Sequence, residues 1–189
     1  PKVYIVKART GSSGCDWFVY HKEIGATHNL RLNGTSGSGA ASDIFNNTEP
    51  TSSVLSIGNS SCINENNGTY ITYAFSEVSS YSKFGSYVGN GSDTNGTFVF
   101  CGFKPAVVIY KKSSGSDNWE MQDSKRDIEN PVNRSLFPNN SNAESTNRKV
   151  DFLANGFKHY NANGSTNEGG NTYVFFAFAE TPFKNARAR

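Results

Sequence analysis

A ten-residue run near the C-terminal end of the chain repeats one that has already appeared nearer its middle. The earlier run is residues 68–77 and the later one is residues 171–180; both have Thr-Tyr at their second and third positions and end in Ala-Phe-x-Glu. Equivalent residues, such as Tyr70 and Tyr173, lie 103 positions apart. Self-similarity at a fixed spacing indicates two copies of one structural unit. The fold must therefore accommodate the same segment twice.

Both runs alternate in a way that predicts a β-strand. Side chains two positions apart share one face of a strand, because successive side chains point to opposite sides. The apolar face is formed by Ile71, Tyr73 and Phe75 in the earlier run and by Val174, Phe176 and Phe178 in the later one. The pattern predicts a central strand in each copy, apolar on one face and at least half covered on the other.

Two further pairs of segments match between the copies. Residues 2–7 correspond to residues 106–111, and both are rich in β-branched and aromatic residues. Residues 16–21 correspond to residues 118–123, and each of these segments begins with Asp or Asn followed by Trp. Such short runs bounded by turn residues are typical of strands.

Alternation around the two tryptophans divides their neighbours between two faces. Trp119 alternates with the polar residue Glu120 and therefore faces inward, and by register Trp17 faces inward too. Phe18 and Tyr20 therefore lie on the opposite face, where the second copy has the polar residues Glu120 and Gln122. Adjacent outward aromatic residues need a partner, which could be the other copy, another subunit or a ligand. We predict that Phe18 and Tyr20 form an exposed aromatic contact for binding.

The copies divide the chain into two β-rich units, residues 1–80 and residues 81–189. Residues 81–89 and 97–103 resemble a hairpin that leads into the second unit, and no counterpart precedes Pro1. We therefore expect that the first unit lacks its N-terminal hairpin and that the chain is the C-terminal piece of a longer polypeptide. Further short strands with Asn and Gly turns are predicted at residues 43–47, 53–57, 151–155 and 156–160.

Composition narrows the fold class. Apolar residues make up only 35% of the chain and aromatic residues 13%, which is typical of short aromatic strands joined by polar loops. We predict an all-β fold, an antiparallel, jelly-roll-like β-sandwich built from two tandem repeats with long polar loops. A formal net charge of +2 is too small to indicate nucleic-acid binding. No apolar run approaches the roughly 20 residues that span a bilayer, so no membrane insertion is expected.

The chain shows no spacing of residues that is typical of catalysis or metal binding. The three histidines, His21, His28 and His159, do not follow a zinc-ligand pattern, and the three cysteines form no Cys-x-x-Cys pair. We predict no catalytic residues, no metal and no cofactor. For the cysteines we expect reduced thiols made in a cytosol, with a Cys15–Cys62 disulfide as the alternative.

Charged residues also recur at matching positions in the two copies. Glu77 corresponds to Glu180, and Lys7 corresponds to Lys111. One interpretation makes the carboxylates acid/base groups. The simpler one is a Lys–Glu ion pair that closes the edge of the sheet in each copy, worth at most about 1 kcal/mol if it is exposed.

The segments described above resemble the C-terminal repeat region of tailed-bacteriophage tail fibre proteins and other virion structural proteins. The similar motifs are a Pro-led strand ending in Lys, an Asp-Trp-x-x-Tyr-Asp segment, an Asp-Phe-x-x-Asn-Gly-Phe segment and a Thr-Tyr-x-x-x-Ala-Phe-Ala-Glu segment. In this chain they are residues 105–111, 118–123, 151–157 and 172–180. His21 departs from the pattern, since the second copy has Asp123 there, and residues 25–41 align poorly.

The resemblance implies a non-enzymatic virion structural protein, most directly a tail fibre or tail-associated module for host-surface attachment. Its expected partners are other copies of itself, with a homotrimer by analogy to fibres, other virion proteins and a host-surface glycan. Its expected location is the tail or capsid surface of a virion after synthesis in the bacterial cytoplasm. The alternatives are a capsid decoration or head-fibre protein and a carbohydrate-binding module with a concanavalin-like sandwich, in which exposed aromatic residues would stack on sugars.

Overall fold

The structure is a computed structural model that describes residues 1–181, and almost all of its regular structure is β-strand. The strands are β1 (Val3–Thr10), β2 (Phe18–His21), β3 (His28–Arg31), β4 (Gly39–Ala40), β5 (Thr69–Phe75), β6 (Ser82–Val88), β7 (Phe98–Phe100), β8 (Val107–Lys112), β9 (Trp119–Asp123), β10 (Val150–Leu153), β11 (Gly156–His159) and β12 (Thr172–Phe178). Two short helices, α1 (Ser42–Phe45) and α2 (Ser61–Asn64), complete the elements. Neither helix is long and apolar enough to cross a membrane.

The strands form three antiparallel sheets. The first sheet has the order β4-β3-β2-β1-β5, the second has the order β6-β12-β8-β9, and the third has the order β10-β11-β7. The first sheet contains the matched strands of the first copy and the second sheet contains those of the second copy. The predicted all-β fold with an antiparallel sandwich is confirmed.

The matched segments of the two copies pair in the same way. In the first sheet Val3 of β1 lies opposite His21 on one side and Phe75 on the other. In the second sheet Val107 of β8 lies opposite Asp123 and Phe178. Each of these four partners occupies the equivalent position of its own copy, so the three matched strands β2-β1-β5 and β9-β8-β12 have the same order and register.

The first and second sheets face each other across an apolar core. Strand alternation places every second residue of β1 and β12 on the facing surfaces, including Val3 and Ile5 from the first sheet and Val174 and Phe176 from the second. Trp119 of β9 lies in the same core with none of its surface exposed. This arrangement is the sandwich, since the apolar faces of the two sheets are buried against each other.

The outer face of each sheet is covered in a different way. Residues 41–63, which include both helices, fold over the first sheet and pack Ile44, Phe45 and Ile63 against it. The third sheet covers the second sheet with Val99 and Phe157, among others. Each of the two large sheets is therefore buried on both faces over much of its area, which explains why so many of their strand residues are inaccessible.

Several predicted strands behave differently from expectation. Of the two strands predicted to be central, β12 is flanked by a strand on both sides, whereas β5 is an edge strand. Residues 43–47 begin as a helix, and residues 53–57 contain no strand, whereas β10 and β11 form as predicted. The predicted hairpin of residues 81–89 and 97–103 is wrong, because β6 pairs with β12 and β7 pairs with β11 in a separate sheet.

Cys15 and Cys62 form a disulfide, with their Cα atoms 5.3 Å apart. The expectation of reduced thiols is wrong for this pair, because residues 41–63, the covering segment, fold back over the first sheet and bring α2 next to the loop between β1 and β2. Cys101 is a free, buried thiol, and burial raises its pKa to about 12. The disulfide ties the C-terminal end of the covering segment to the loop between β1 and β2.

Removing this disulfide is expected to lower the free energy of unfolding by about 2–4 kcal/mol, because it constrains a long loop in the unfolded chain. The two cysteines are 47 residues apart, which puts the loss toward the upper end of that range. The measurement is urea denaturation of the oxidised protein and of the Cys15→Ser/Cys62→Ser variant. A reductant should lower the midpoint of the parent protein and leave that of the variant in place. Equal midpoints for the parent with and without reductant would contradict the prediction.

Candidate functional site

An apolar cleft of 460 Å³ opens between the first and second sheets. Its walls are the facing sides of the two sheets and the segment that follows Ser135. The lining includes Ile5 and Phe75 from the first sheet, Ile109, Met121, Phe176 and Phe178 from the second, and Leu136, Phe137 and Pro138 from that segment. A cleft of this size, lined mostly by hydrophobic and aromatic side chains, has the dimensions of a small-molecule site.

A partly exposed aromatic pair lies beside this cleft. The rings of Trp17 and Tyr73 are stacked, with their centroids 6.5 Å apart and their planes inclined by 14°. Tyr73 is 44% exposed, and Trp17 is partly buried against the core between the sheets. Tyr73 lies opposite Ile5 in the ladder of β1 and β5, and Ile5 lines the cleft. The pair and the cleft form the candidate site, a flat aromatic surface next to an apolar recess.

The fold positions this pair through the edge location of β5. The residue equivalent to Tyr73 in the second copy is Phe176, which is only 4% exposed, because β12 is flanked by strands on both sides. Tyr73 has the same place in the repeat and the same inward alternation, yet its strand has a neighbour on one side only. Strand alternation predicted the face of Tyr73, but its exposure was not expected.

The predicted exposure of Phe18 and Tyr20 is wrong. Phe18 is 5% exposed and Tyr20 is 1% exposed, and both lie in the core under the covering segment. Tyr20 stacks on Tyr4 with 4.7 Å between ring centroids and packs edge-on against Phe45. Its hydroxyl donates a hydrogen bond to Glu49. The partner that these aromatic residues required is a segment of their own chain.

The two tryptophans have different environments. Trp119 is fully buried, and its Nε1–H donates a hydrogen bond of 2.9 Å to the carbonyl oxygen of Arg31 on the first sheet. The prediction that Trp119 is a core residue is therefore confirmed, and its indole connects the two sheets. Trp17 packs against the same core with one part of its surface exposed, so it is the tryptophan that a ligand can reach.

Two histidines are buried and held in the neutral form. Burial lowers the pKa of His21 to about 4, although the carbonyl of Phe175 at 3.3 Å from Nε2 opposes the shift. The backbone N–H of Glu23 donates to Nδ1 of His21, so the proton resides on Nε2. Burial lowers the pKa of His159 to about 3, in a cage of Tyr87, Tyr110 and Phe157. Both imidazoles are structural elements of the cores.

The recurring carboxylates do form ion pairs, but not with the predicted lysines. Glu77 lies 3.0 Å from Lys83, and Glu180 pairs with Lys125 on the surface. Lys7 donates instead to the carbonyl oxygen of Cys15. The fully buried Lys111 donates to the carbonyl oxygens of Lys112 and Gly115, and burial lowers its pKa to about 8.

The carboxylate of Glu120 is buried where sequence alternation had indicated a polar face. Glu120 has no exposed surface and accepts hydrogen bonds from Arg148 at 2.9 Å, from Ser165 at 2.6 Å and from Ser135. Its neighbour Gln122 is equally buried and donates to two backbone carbonyl oxygens. Every polar atom of this cluster is used inside the protein, so the cluster stabilises the fold and offers no group to a ligand.

Metal ligands are not gathered anywhere in the described part of the chain. Across residues 1–181 no three His, Cys, Asp or Glu side chains are placed together to hold a metal ion. What the candidate site offers is stacking and apolar contact, from Trp17, Tyr73 and the cleft. Such a surface can bind the apolar face of a ring-shaped ligand.

Comparison with known proteins identifies a family. No curated protein and no solved structure is significantly similar to the chain. Residues 1–182, which include both large sheets and the candidate site, match the family described as Domain of unknown function (DUF7483). Because the match covers nearly the whole chain, this protein belongs to the DUF7483 family.

Proposed function

We propose that this chain is a non-enzymatic structural module of a bacteriophage virion, in a tail fibre or tail-associated protein that contributes to attachment to the host surface. The ordered motifs that resemble virion proteins support the proposal. They occupy strands and their ends in the fold, since residues 105–111 include all of β8 except Lys112, residues 118–123 contain β9 and residues 172–180 contain β12. These motifs therefore belong to the framework of the module.

The observation that carries the proposal is the matched architecture of the two halves. Beyond the shared strand register, a tyrosine hydroxyl makes the same two bonds in each half. The hydroxyl of Tyr70 accepts from the N–H of Glu65 and donates to the carbonyl of Ser61. The hydroxyl of Tyr173 does the same with Glu168 and Gly164. We infer two tandem copies of one unit, packed face to face into a rigid scaffold that presents polar loops, which suits a displayed binding module.

The placement of nucleophilic and basic groups supports the non-enzymatic part of the proposal. A general acid or base must come within hydrogen-bond reach of its substrate. His21, His159 and the thiol of Cys101 are buried in the cores. These three side chains therefore contribute to the packing of the cores and lie out of reach of a substrate. Cleavage of capsular or cell-wall polysaccharide by the purified protein would contradict this part.

The module is proposed to act as a homo-oligomer on the virion, after synthesis in the bacterial cytoplasm. A homotrimer follows by analogy with fibres, in which three identical chains share an axis. Other virion proteins are its remaining structural partners. Sedimentation equilibrium of the purified chain measures the stoichiometry, and a monomer at micromolar concentration would contradict self-association through this module.

The test of the function is electron microscopy of virions labelled with an antibody against this chain. We expect label at the tail or its fibres on particles from a phage that carries the gene. Label on the head would favour a capsid decoration or head-fibre protein. Particles without label, together with absence of the chain from purified virions by mass spectrometry, would contradict a virion role. Preincubation of the antibody with the purified chain is the control for specificity.

The second candidate function is a carbohydrate-binding module, and the stacked pair of Trp17 and Tyr73 favours it. Aromatic faces beside a cleft on a β-sandwich can stack on sugar rings. On a glycan array, binding by the purified chain should be lost in Trp17→Ala and Tyr73→Ala. Phe98→Ala is the matched control, because Phe98 is 43% exposed and lies on the third sheet. Absence of binding to any glycan, or equal loss in all three variants, would contradict this function.

A further inference from the structure

The outer edge of β5 is an unpaired strand edge with apolar side chains. β5 pairs with β1 on one side, and no strand of the described residues pairs with its other side. Residues 71–74 are all exposed, although they lie in the middle of a regular strand. β5 contains neither proline nor a charged residue, the features that usually keep an edge strand from pairing. This edge is therefore suited to accept another strand.

The second copy shows what occupies the equivalent edge. β12 is the counterpart of β5, and it lies between β8 and β6. β6 runs antiparallel to β12, with Tyr87 opposite Tyr173 and Gly85 opposite Phe175. Val174 and Phe176 of β12 are 0% and 4% exposed, whereas their counterparts Ile71 and Tyr73 are 36% and 44% exposed. The difference between the copies is thus the missing β6-like neighbour of β5.

The backbone groups of β5 are arranged to receive such a neighbour. Just beyond the two ends of β12, the carbonyl oxygen of Asn171 accepts from the N–H of Gly89 at 2.9 Å and the N–H of Ala179 donates to the carbonyl oxygen of Tyr81 at 2.7 Å. The backbone groups that face β6 are therefore those of the odd-numbered residues. The register of β1 and β5 equals that of β8 and β12. The corresponding N–H and C=O groups of β5 are therefore those of Tyr70, Thr72 and Ala74, and they point away from β1.

The side chains of β6 specify the residue pattern of the occupant. Phe84 packs edge-on against Phe176 and Phe178, at centroid distances of 5.9 and 5.7 Å. Gly85 lies against the ring of Phe175, where a Cβ atom would come within 2.9 Å. Tyr87 stacks on Tyr173 at 5.1 Å. On β5 the place of Phe175 is taken by Thr72, so what carries over to this edge is the spacing of the two aromatic residues, at the first and fourth of four successive positions, as in β6.

We propose that the outer edge of β5 binds an antiparallel β-strand with the residue pattern of β6, supplied from outside the described residues. The strand adds to the first sheet by backbone hydrogen bonds to Tyr70, Thr72 and Ala74, and its first aromatic residue covers Tyr73 and Phe75. This is recognition by strand addition, in which the ladder gives affinity and alternate side chains give specificity. The proposal goes beyond the proposed function and does not depend on the protein being part of a virion.

The test uses a synthetic peptide with the sequence of residues 81–89, added to the full chain. Amide hydrogen exchange at Tyr70, Thr72 and Ala74 should slow by at least about tenfold at saturating peptide, because these N–H groups become bonded. The matched probes are two N-methylated peptides. Methyl groups on the nitrogens of Gly85 and Tyr87, which face β12 in the protein, should abolish the protection. Methyl groups on Phe84 and Ser86, which face away, should leave it.

A variant of the receiving edge supplies the second measurement. Thr72→Pro removes an outward N–H and leaves the ladder to β1 intact, since proline is tolerated on the free side of an edge strand. It should lose the peptide-induced protection of Tyr70 and Ala74. If this variant does not fold, the two methylated peptides still decide. No protection at about 1 mM of the parent peptide, or equal protection by both methylated peptides, would overturn the proposal.

Discussion

Lowering the pH from about 6.5 to 4.5 is expected to remove about 4 kcal/mol of folding stability, because two histidines must stay neutral in the folded protein. Burial lowers the pKa of His159 to about 3 and that of His21 to about 4. An unfolded histidine titrates near 6.5. Between these values the unfolded chain binds more protons than the folded one, so acid favours unfolding.

The sign and the pH window follow from the direction of the shifts. Stability from a histidine with a lowered pKa is fully present above about pH 6.5 and is lost as the pH falls toward the folded value. Each unit of pH well inside the window costs about 1.4 kcal/mol per group and less near pH 6.5, where the unfolded imidazole is half protonated, so two groups over two units lose about 4 kcal/mol. The pKa values of Glu77 and Asp123 are also lowered, by ion pairing and hydrogen bonds that outweigh desolvation. Those carboxyl groups add their own loss below about pH 4.5, where Asp and Glu titrate, so the window above it reports the histidines.

Urea denaturation at several pH values between 4.5 and 7.5 measures this dependence. His159→Leu removes one titrating group and roughly preserves the side-chain volume. It should halve the slope of the unfolding free energy against pH. Nε2 of His159 has no hydrogen-bond partner in the described structure, so the substitution leaves no polar group unpaired. A wild-type slope near zero in this window, or an unchanged slope in the variant, would contradict the prediction.

The sequence predicted the strands whose pattern recurs, and it failed where the surroundings of the two copies differ. Trp119 was correctly assigned to the core, because alternation fixes which face of a strand a residue takes. Phe18 and Tyr20 were assigned to the surface because their counterparts Glu120 and Gln122 are polar. Both counterparts have no exposed surface and are fully hydrogen-bonded, so a polar residue in this position does not indicate solvent.

The layers over the outer faces could not be predicted for a physical reason. Phe18 is covered by an irregular segment with two four-residue helices, whereas Glu120 is covered by a network that includes Ser135 and Ser165. Neither cover has a periodic hydrophobic pattern, and both depend on contacts between residues far apart in the chain. Tyr73 was missed for the same reason: β5 and β12 have nearly the same pattern, and only the presence of β6 buries one of them.

Replacing Glu120 by alanine is expected to cost about 3–5 kcal/mol of unfolding free energy, because it leaves a buried charge without its partner. Glu120 is fully buried, and Arg148, whose side chain is 13% exposed, donates to it at 2.9 Å. Ser165 and Ser135 donate to the same carboxylate. In the variant Arg148 and Ser135 lose this acceptor, whereas Ser165 retains Asn163 Oδ1 at 2.6 Å, and each donor left unsatisfied adds its desolvation penalty.

The comparison with Glu180 provides the matched control. Glu180→Ala is the same chemical change in an exposed ion pair, since the side chain of Glu180 is 63% exposed and that of its partner Lys125 is 71% exposed. This substitution should leave the melting temperature unchanged. A double substitution, Glu120→Met with Arg148→Met, should recover much of the loss, because an apolar pair leaves no charge unpaired. The first copy already contains such a replacement, since Phe18 occupies the position equivalent to Glu120 and packs under apolar residues. Thermal and urea unfolding of the three variants are the measurements, and equal stability of Glu120→Ala and Glu180→Ala would show that the buried network contributes nothing to the fold.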